Sequence, residues 1–294
     1  MSTTALDERL RRPAVLRSIR LGELKVTCLP DGAVELDARA WLPESTEETW
    51  AAHPEYLDAA GNLVCGVGGL LVERGSRALL IDAGFGPYAV PPQPGNPRRA
   101  IHGGALPESL AAVGRAPETI EAVAITHLHL DHIGWAYSPL PGTGRLPFGG
   151  CDLLIAAPEW EHRHLLRERG VTPEILRTLA PRVRTVSDGE EVFPGVRVSL
   201  SAGHTAGHAS YVITGGGRRL IAFGDAMHSP IQVDHPEWSA AADLDPERAA
   251  RERRRLVAEL AEPDTLGFGV HFADVVFGRV VPGAGDGPAW RPID

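Results

Sequence analysis

Between residues 17 and 37 the apolar positions Ile19, Leu21, Leu24, Val26, Cys28, Val34 and Leu36 alternate around Gly22-Glu23 and Pro30-Asp31-Gly32. This predicts strands joined by tight turns. Residues 64–73 and 77–82 predict a second pair around Arg74-Gly75-Ser76. Within it, Ala78-Leu79-Leu80-Ile81 is apolar throughout and should be a central strand covered on both faces. Short apolar runs at 123–125, 152–157, 183–186, 191–193, 196–201, 210–214, 219–223 and 266–270 predict further strands, and 275–281 an edge strand. Helices are expected over 106–113, 158–169 and 246–260; Asp245 caps the last and Pro246 fills its first position. Five arginines of that helix, from Arg248 to Arg255, interleave with Glu247, Glu252 and Glu259, as on a solvated face covering a sheet.

Three segments lack a period. Residues 38–61 carry Trp41, Trp50 and Tyr56, residues 87–104 are rich in Pro and Gly, and residues 133–150 carry Trp135, Tyr137 and Phe148. The aromatics either line a pocket or pack onto the domain, and 87–104 is long enough to be a substrate lid. No repeat or linker divides the 294 residues, so a single domain over 1–294 is expected, with 1–13 a loose arm.

Composition narrows the partners. Lys plus Arg number 29 against 38 Asp plus Glu, a formal charge of −9, which argues against nucleic acid or an anionic membrane. Cys28, Cys65 and Cys151 are far apart and form no CxxC pair, so neither a disulfide framework nor a cysteine metal site is expected. With no apolar stretch of signal-peptide or membrane-spanning length, the expected setting is cytoplasmic.

The chemistry concentrates at Thr126-His127-Leu128-His129-Leu130-Asp131-His132, where four potential metal ligands fall within six residues after an apolar strand. In extended backbone His127, His129 and Asp131 share a face while Leu128 and Leu130 pack away. Imidazole with carboxylate suits zinc first, with iron, manganese or cobalt as alternatives. The same grammar, a short apolar strand delivering a metal-capable residue, recurs at His204, Asp225 and His271. Seven ligands exceed one tetrahedral zinc and suit two metals sharing a carboxylate.

On the ordered set HxHxDH (127–132), Gly203-His204-Thr205, Gly224-Asp225 and His271, the sequence resembles the metallo-β-lactamase superfamily from about Leu24 to Phe277. The resemblance implies an α/β fold, a four-layer αββα sandwich with the metals at one edge of the paired sheets. It assigns His127, His129 and His204 to one metal, Asp131, His132 and His271 to the other, and Asp225 to both. Two divalent ions, zinc first, would then provide a bridging hydroxide as nucleophile, with Asp131 orienting it or passing a proton. Asp225 is unlike the true β-lactamases and His129 unlike the flavodiiron proteins. The segment from Gly224 to Pro230 with Gln232 and His235-Pro236-Glu237-Trp238 looks most like the lactonase and methyl parathion hydrolase group.

An ester, lactone or related acyl substrate, with a phosphotriester also open, is therefore expected as the small-molecule partner, and a homodimer is allowed for. The alternatives are a glyoxalase II-like thioester hydrolase and a metal-binding accessory protein of a biosynthetic pathway. His228 stands where the lactonases place a substrate-contacting tyrosine; a catalytic contact and a structural role are both open. Asp82 either supports a ligand or caps a turn, and the resemblance gives His208 a supporting role. His162, His164 and His235 are expected at the surface or in loops.

Overall fold

The computed structural model describes residues 3–283 and 287–293; Met1 and Ser2 of the expected arm lie outside them. The strands fall into two sheets in chain order. The first contains β1 (Arg17–Leu21), β2 (Leu24–Asp37), β3 (Asn62–Arg74), β4 (Arg77–Ile81), β5 (Ala89–Val90), β6 (Arg98–His102), β7 (Ala122–Ile125), β8 (Asp152–Ala156) and β9 (Val183–Val186). Their order is β5-β6-β2-β3-β4-β7-β8-β9, with β1 paired to β2. The second contains β10 (Glu191–Phe193), β11 (Val196–Leu200), β12 (Ala209–Gly215), β13 (Arg218–Ala222), β14 (Thr265–Phe268), β15 (Phe277–Pro282) and β16 (Pro288–Pro292), side by side in that order.

Strand periodicity sorts the apolar side chains into layers. Leu70, Val72, Leu79, Ile81 and Ala124 of the first sheet meet Tyr211, Ile213, Leu220 and Ala222 of the second in the central core. Their alternates Leu71, Ala78, Leu80, Val123 and Ile125 face outward onto the helices Leu106–Ala112, Leu130–Tyr137 and Pro173–Leu179. On the far side Ile221 packs on Leu256, Val257 and Leu260 of the Pro246–Leu260 helix. Helix, sheet, sheet, helix is the expected αββα sandwich, and each fully buried Leu or Ile in it contributes about 1.5–3 kcal/mol. As expected, β4 is a central strand, ending at the edge where β7 also ends.

Several local expectations are corrected. Pro30-Asp31-Gly32 is not a turn: β2 runs through it with a register shift against β3. The bulge turns the Asp31 carboxylate inward, where it accepts from Phe85 N (2.7 Å), Leu106 N (2.8 Å) and Trp135 Nε1 (2.8 Å). Trp135 and Tyr137 lie on a helix rather than in a loop, and residues 87–104 contain β5 and β6. Segment 158–169 splits into Ala157–Glu161 and a 3-10 stretch, Arg163–Arg169. β15 is not an edge, because β16 pairs with it. Arg253, expected in solvent, is fully buried.

The arm is also not loose where it is described, since Thr3–Leu10 is a helix and Leu10 is buried. The anchor is distant in sequence: Arg12 Nη2 and Arg17 Nη2 meet Asp274 Oδ2 at 2.6 and 2.9 Å, while Arg9 Nε donates to the Asp274 carbonyl at 2.9 Å.

Candidate metal centre

β7 ends at Ile125 and the chain delivers His127 and His129 before the Leu130–Tyr137 helix starts, with Asp131 and His132 in its first turn. The turn between β11 and β12 brings His204, the turn after β13 brings Asp225, and the turn after β14 brings His271. All of these residues meet at the edge where the strands end. Donor atoms of His127, His129, His204 and Asp225 lie within 4.8 Å of one another, as do those of Asp131, His132 and His271 and those of Asp225, His228 and His271.

Asp225 stands between two sets of imidazoles. Its Oδ1 is 3.0 Å from both His132 Nε2 and His271 Nε2; its Oδ2 is 3.3 Å from His204 Nε2 and 3.7 Å from His127 Nε2. His129 Nδ1 lies 2.9 Å from His127 Nε2 and 3.0 Å from His204 Nε2. Asp131 Oδ2 is 3.8 Å from the Nε2 atoms of His132 and His271.

Neighbours fix the ring orientations. Asp82 Oδ2 takes the Nδ1 side of His132 at 2.8 Å and Asp243 Oδ1 that of His204 at 2.8 Å. The Gly66 carbonyl takes Nδ1 of His271 at 2.7 Å, and Thr126 Oγ1 faces Nδ1 of His127 at 3.1 Å. A ring nitrogen engaged this way leaves the other one with its lone pair toward the centre. Asp82 does this from a left-handed backbone, φ 61, at the end of β4. Gly224, φ +49, is required as well: a Cβ there would come within 2.8 Å of His208 Nε2.

The donor set fits divalent metal. His132 Nε2, Asp225 Oδ1 and His228 Nδ1 are buried without a hydrogen-bond partner, a state that costs about 1–3 kcal/mol per group unless something else coordinates it. Burial holds His127 and His129 well below the usual imidazole range, aided by the neighbouring histidines. Burial opposes the charge of Asp225, but His271 and His132 keep its carboxyl well below the usual range. Neutral imidazole and ionised carboxylate are the forms that bind metal. Burial also disfavours charge on His204, yet its hydrogen bonds to the carboxylates of Asp225 and Asp243 outweigh that and lift its pKa to about 9.

The remaining candidates separate cleanly. His208 faces Ser201 Oγ through Nδ1 at 2.9 Å and accepts from Asp225 N through Nε2 at 3.1 Å, so both nitrogens are occupied. Burial holds it neutral, its pKa lowered to about 3. His228 sits with Nε2 3.1 Å from Asp225 Oδ2, its ring parallel to His271 at 5.4 Å and edge-on to Trp41 at 5.1 Å. His235 stacks on Trp238, and the exposed His162 sits beside His164 and meets the Pro158 carbonyl at Nδ1.

A cavity of about 340 Å³ opens over the centre, with Trp41, Val34, Leu36 and Leu130 on its walls and His228 near its floor. Trp50, Tyr88, Trp135 and Tyr137 are not among its lining residues. Trp50 Nε1 donates to Ser45 Oγ, and Trp135 is committed to Asp31, so these aromatics pack rather than bind.

Sequence reasoning missed two residues. Glu159 is buried and accepts from Leu128 N (2.9 Å), Thr205 Oγ1 (2.7 Å) and Gly207 N (2.9 Å), tying the loop of His127 and His129 to that of His204. Asp243 joins His204 to Arg253 Nη1 (3.0 Å). Neither has a motif around it; the only signal was a carboxylate beside apolar residues.

The family model of the metallo-beta-lactamase superfamily matches residues 66–269, more than half of the chain. An anti-Pycsar protein, Apyc1, from Paenibacillus harenae is 30% identical over 138 residues, 44% of this chain and 48% of that protein. An N-acyl homoserine lactonase from Bacillus cereus is 31% identical over 104 residues, 35% of this chain and 37% of the lactonase. The chain thus spans less than half the length of these curated relatives. Among solved structures, AidC, described as a dizinc quorum-quenching lactonase in complex with a product, N-hexnoyl-L-homoserine, superposes with a TM-score of 0.81 at 23% identity, covering 95% of this chain and 97% of AidC. The hydrolase AbOPH superposes at 0.79 with 24% identity, covering 96% and 98%. At these identities the superpositions speak for the fold.

Proposed function

The chain belongs to the metallo-beta-lactamase superfamily, and from that premise we propose that it is a hydrolase of esters, lactones or related acyl compounds, dependent on two divalent metal ions, zinc first. One observation carries the reading: the two oxygens of Asp225 face two different groups of histidines, as a carboxylate shared by two ions requires. His127, His129 and His204 would hold one ion and Asp131, His132 and His271 the other. The lactonase among the relatives and the dizinc lactonase among the structural neighbours support an acyl substrate. All 294 residues are read as one catalytic domain, with the first strands and the Thr3–Leu10 helix part of it.

When bound, the ions supply the activation of water and the polarisation of the acyl carbonyl. The protein does the rest. Asp82, Asp243 and the Gly66 carbonyl hold three imidazoles in the tautomer that presents Nε2. Asp131, partly open to the cavity, takes and returns a proton at its carboxylate. His228 hydrogen-bonds the substrate oxygen or hands a proton to the departing one. Trp41, Leu36 and Leu130 exclude water around the acyl group.

The test is metal content together with turnover. About two ions per chain and hydrolysis of lactones or aryl esters are expected. Less than one ion per chain, or no hydrolysis across lactones, aryl esters, thioesters and phosphotriesters, would overturn the reading. Turnover confined to thioesters would replace it with the thioesterase alternative.

A further inference from the structure

Resting on that hydrolase reading, we propose that Arg98 forms an anion-binding subsite in the cavity, so that the substrate is an acyl compound whose end remote from the scissile bond carries an oxyanion, a carboxylate or a phosphate. The argument begins with register. Arg98 of β6 is the direct cross-strand partner of Leu36 in β2, and directly paired residues project to the same face of a sheet. Leu36 and Val34, two apart, both line the cavity, and Arg98 lines it with them.

The adjacent arginine provides the contrast. Arg99 projects to the opposite face, where its guanidinium pairs with Asp37, the residue after Leu36. Two like charges thus stand side by side in the sequence. One is neutralised, while Arg98, half-buried, has no ion pair or side-chain hydrogen bond among the described residues. A guanidinium left unpaired beside Leu36 and Val34 loses hydration and gains nothing from the protein, so a bound anion is the partner that offsets the loss.

With Arg98 counted, the charged groups lining the cavity outside the metal centre are net positive. Arg169 also lines the cavity, with Nη2 3.4 Å from the Ala242 carbonyl, and Glu168 lines it too, with no ion pair to either arginine among the described residues. Apart from Asp131 and Asp225, which belong to the metal centre, two guanidinium groups face one carboxylate. An acyl compound with an anionic tail would place its carbonyl at the metal centre and its tail at Arg98. Fork-shaped donors suit the two oxygens of a carboxylate or phosphate equally.

Binding tests this separately from catalysis. The metal-loaded protein is titrated calorimetrically with N-(4-nitrophenyl)succinamic acid, with its phosphonate analogue, and with neutral N-(4-nitrophenyl)butyramide. At least one anion should bind about tenfold more tightly than the neutral amide, and whichever binds better identifies the tail. Arg98→Gln should bring that ratio close to one, whereas Arg99→Gln, which removes the same charge from the opposite face, should keep it. No preference in the unaltered protein overturns the subsite. A preference that survives Arg98→Gln also overturns it, because the metal field alone would then account for it. If binding behaves as expected but neither the matching 4-nitrophenyl succinate ester nor any lactone, aryl ester, thioester or phosphotriester is hydrolysed, the hydrolase reading fails and the subsite stands.

Discussion

Asp243→Asn separates the roles of a residue that no motif announces. Asp243 Oδ1 takes the Nδ1 side of His204 at 2.8 Å; Oδ2 accepts from Arg253 Nη1 at 3.0 Å and from Ala240 N at 3.1 Å. An amide can place its oxygen on one side only. With two donors fixed on the Oδ2 side, the oxygen stays there and the NH₂ group turns to His204. The imidazole must then accept at Nδ1 and carry its proton on Nε2, the nitrogen that faces Asp225. This is the wrong tautomer for a metal ligand, and loss of such a partner costs about 10–100-fold in metal affinity.

Stability falls for a different reason, since Arg253 is buried and loses its counter-charge. Removing one member of a buried pair costs about 3–5 kcal/mol. Here the lower end is expected, because Arg253 keeps the Pro236 and Ala226 carbonyls and Ser239 Oγ. The double variant Asp243→Asn/Arg253→Met removes the stranded charge, so it should recover much of the stability and none of the metal affinity. Denaturant titration and competition against a chromophoric chelator measure the two quantities. Unchanged metal affinity in Asp243→Asn, whatever its stability, would refute the tautomer argument.

Three further outcomes are expected. His127→Ala and Asp225→Ala should each abolish turnover and reduce bound metal while leaving the far-ultraviolet circular dichroism unchanged; full activity in either variant would contradict the site. Glu159→Gln should cost about 1–3 kcal/mol and loosen metal binding, since the amide NH₂ must face one of two backbone donors that Glu159 now accepts, Leu128 N on the Oε1 side or Gly207 N on the Oε2 side; a stability within about 0.5 kcal/mol of the parent would show that the two loops do not depend on it. Burial opposes the charge of Asp274, but hydrogen bonds from Arg17, Arg12 and Val15 N hold its carboxyl below the usual value. Its contribution is therefore complete above the unfolded pKa, about 4, and is lost as pH falls through the lower folded value. Asp274→Asn should cost about 3 kcal/mol near neutrality and flatten the acid limb of the stability curve; an acid limb unchanged in the variant would assign the transition to other carboxylates.

Some of this molecule was legible in order along the chain. The runs leading to Thr126, His204, Asp225 and His271 carry both their strand signal and a metal-capable residue, because period-two apolarity and a polar residue at the strand end are local properties. The central position of Ala78–Ile81 followed from its lack of a polar face. Roles that depended on partners far away in sequence were not legible. Glu159 and Arg253 look like the exposed charges of helix surfaces, and only packing turns them inward. Pro30-Asp31-Gly32 has the composition of a turn, but pairing with β3 holds it extended, and Phe85 N, Leu106 N and Trp135 Nε1, all distant in sequence, use its carboxylate as an acceptor.

The sequence by itself determined the layered α/β class and the seven donors, since strand alternation and ligand chemistry are read from a few neighbouring residues. The tertiary structure decided that Asp225 stands between two groups of donors, that Asp82 and Asp243 set imidazole tautomers, and that Arg98 rather than Arg99 faces the cavity. Those facts depend on register and on contacts across dozens of residues. Burial and direction are properties of the assembled sheets, and no local pattern encodes them.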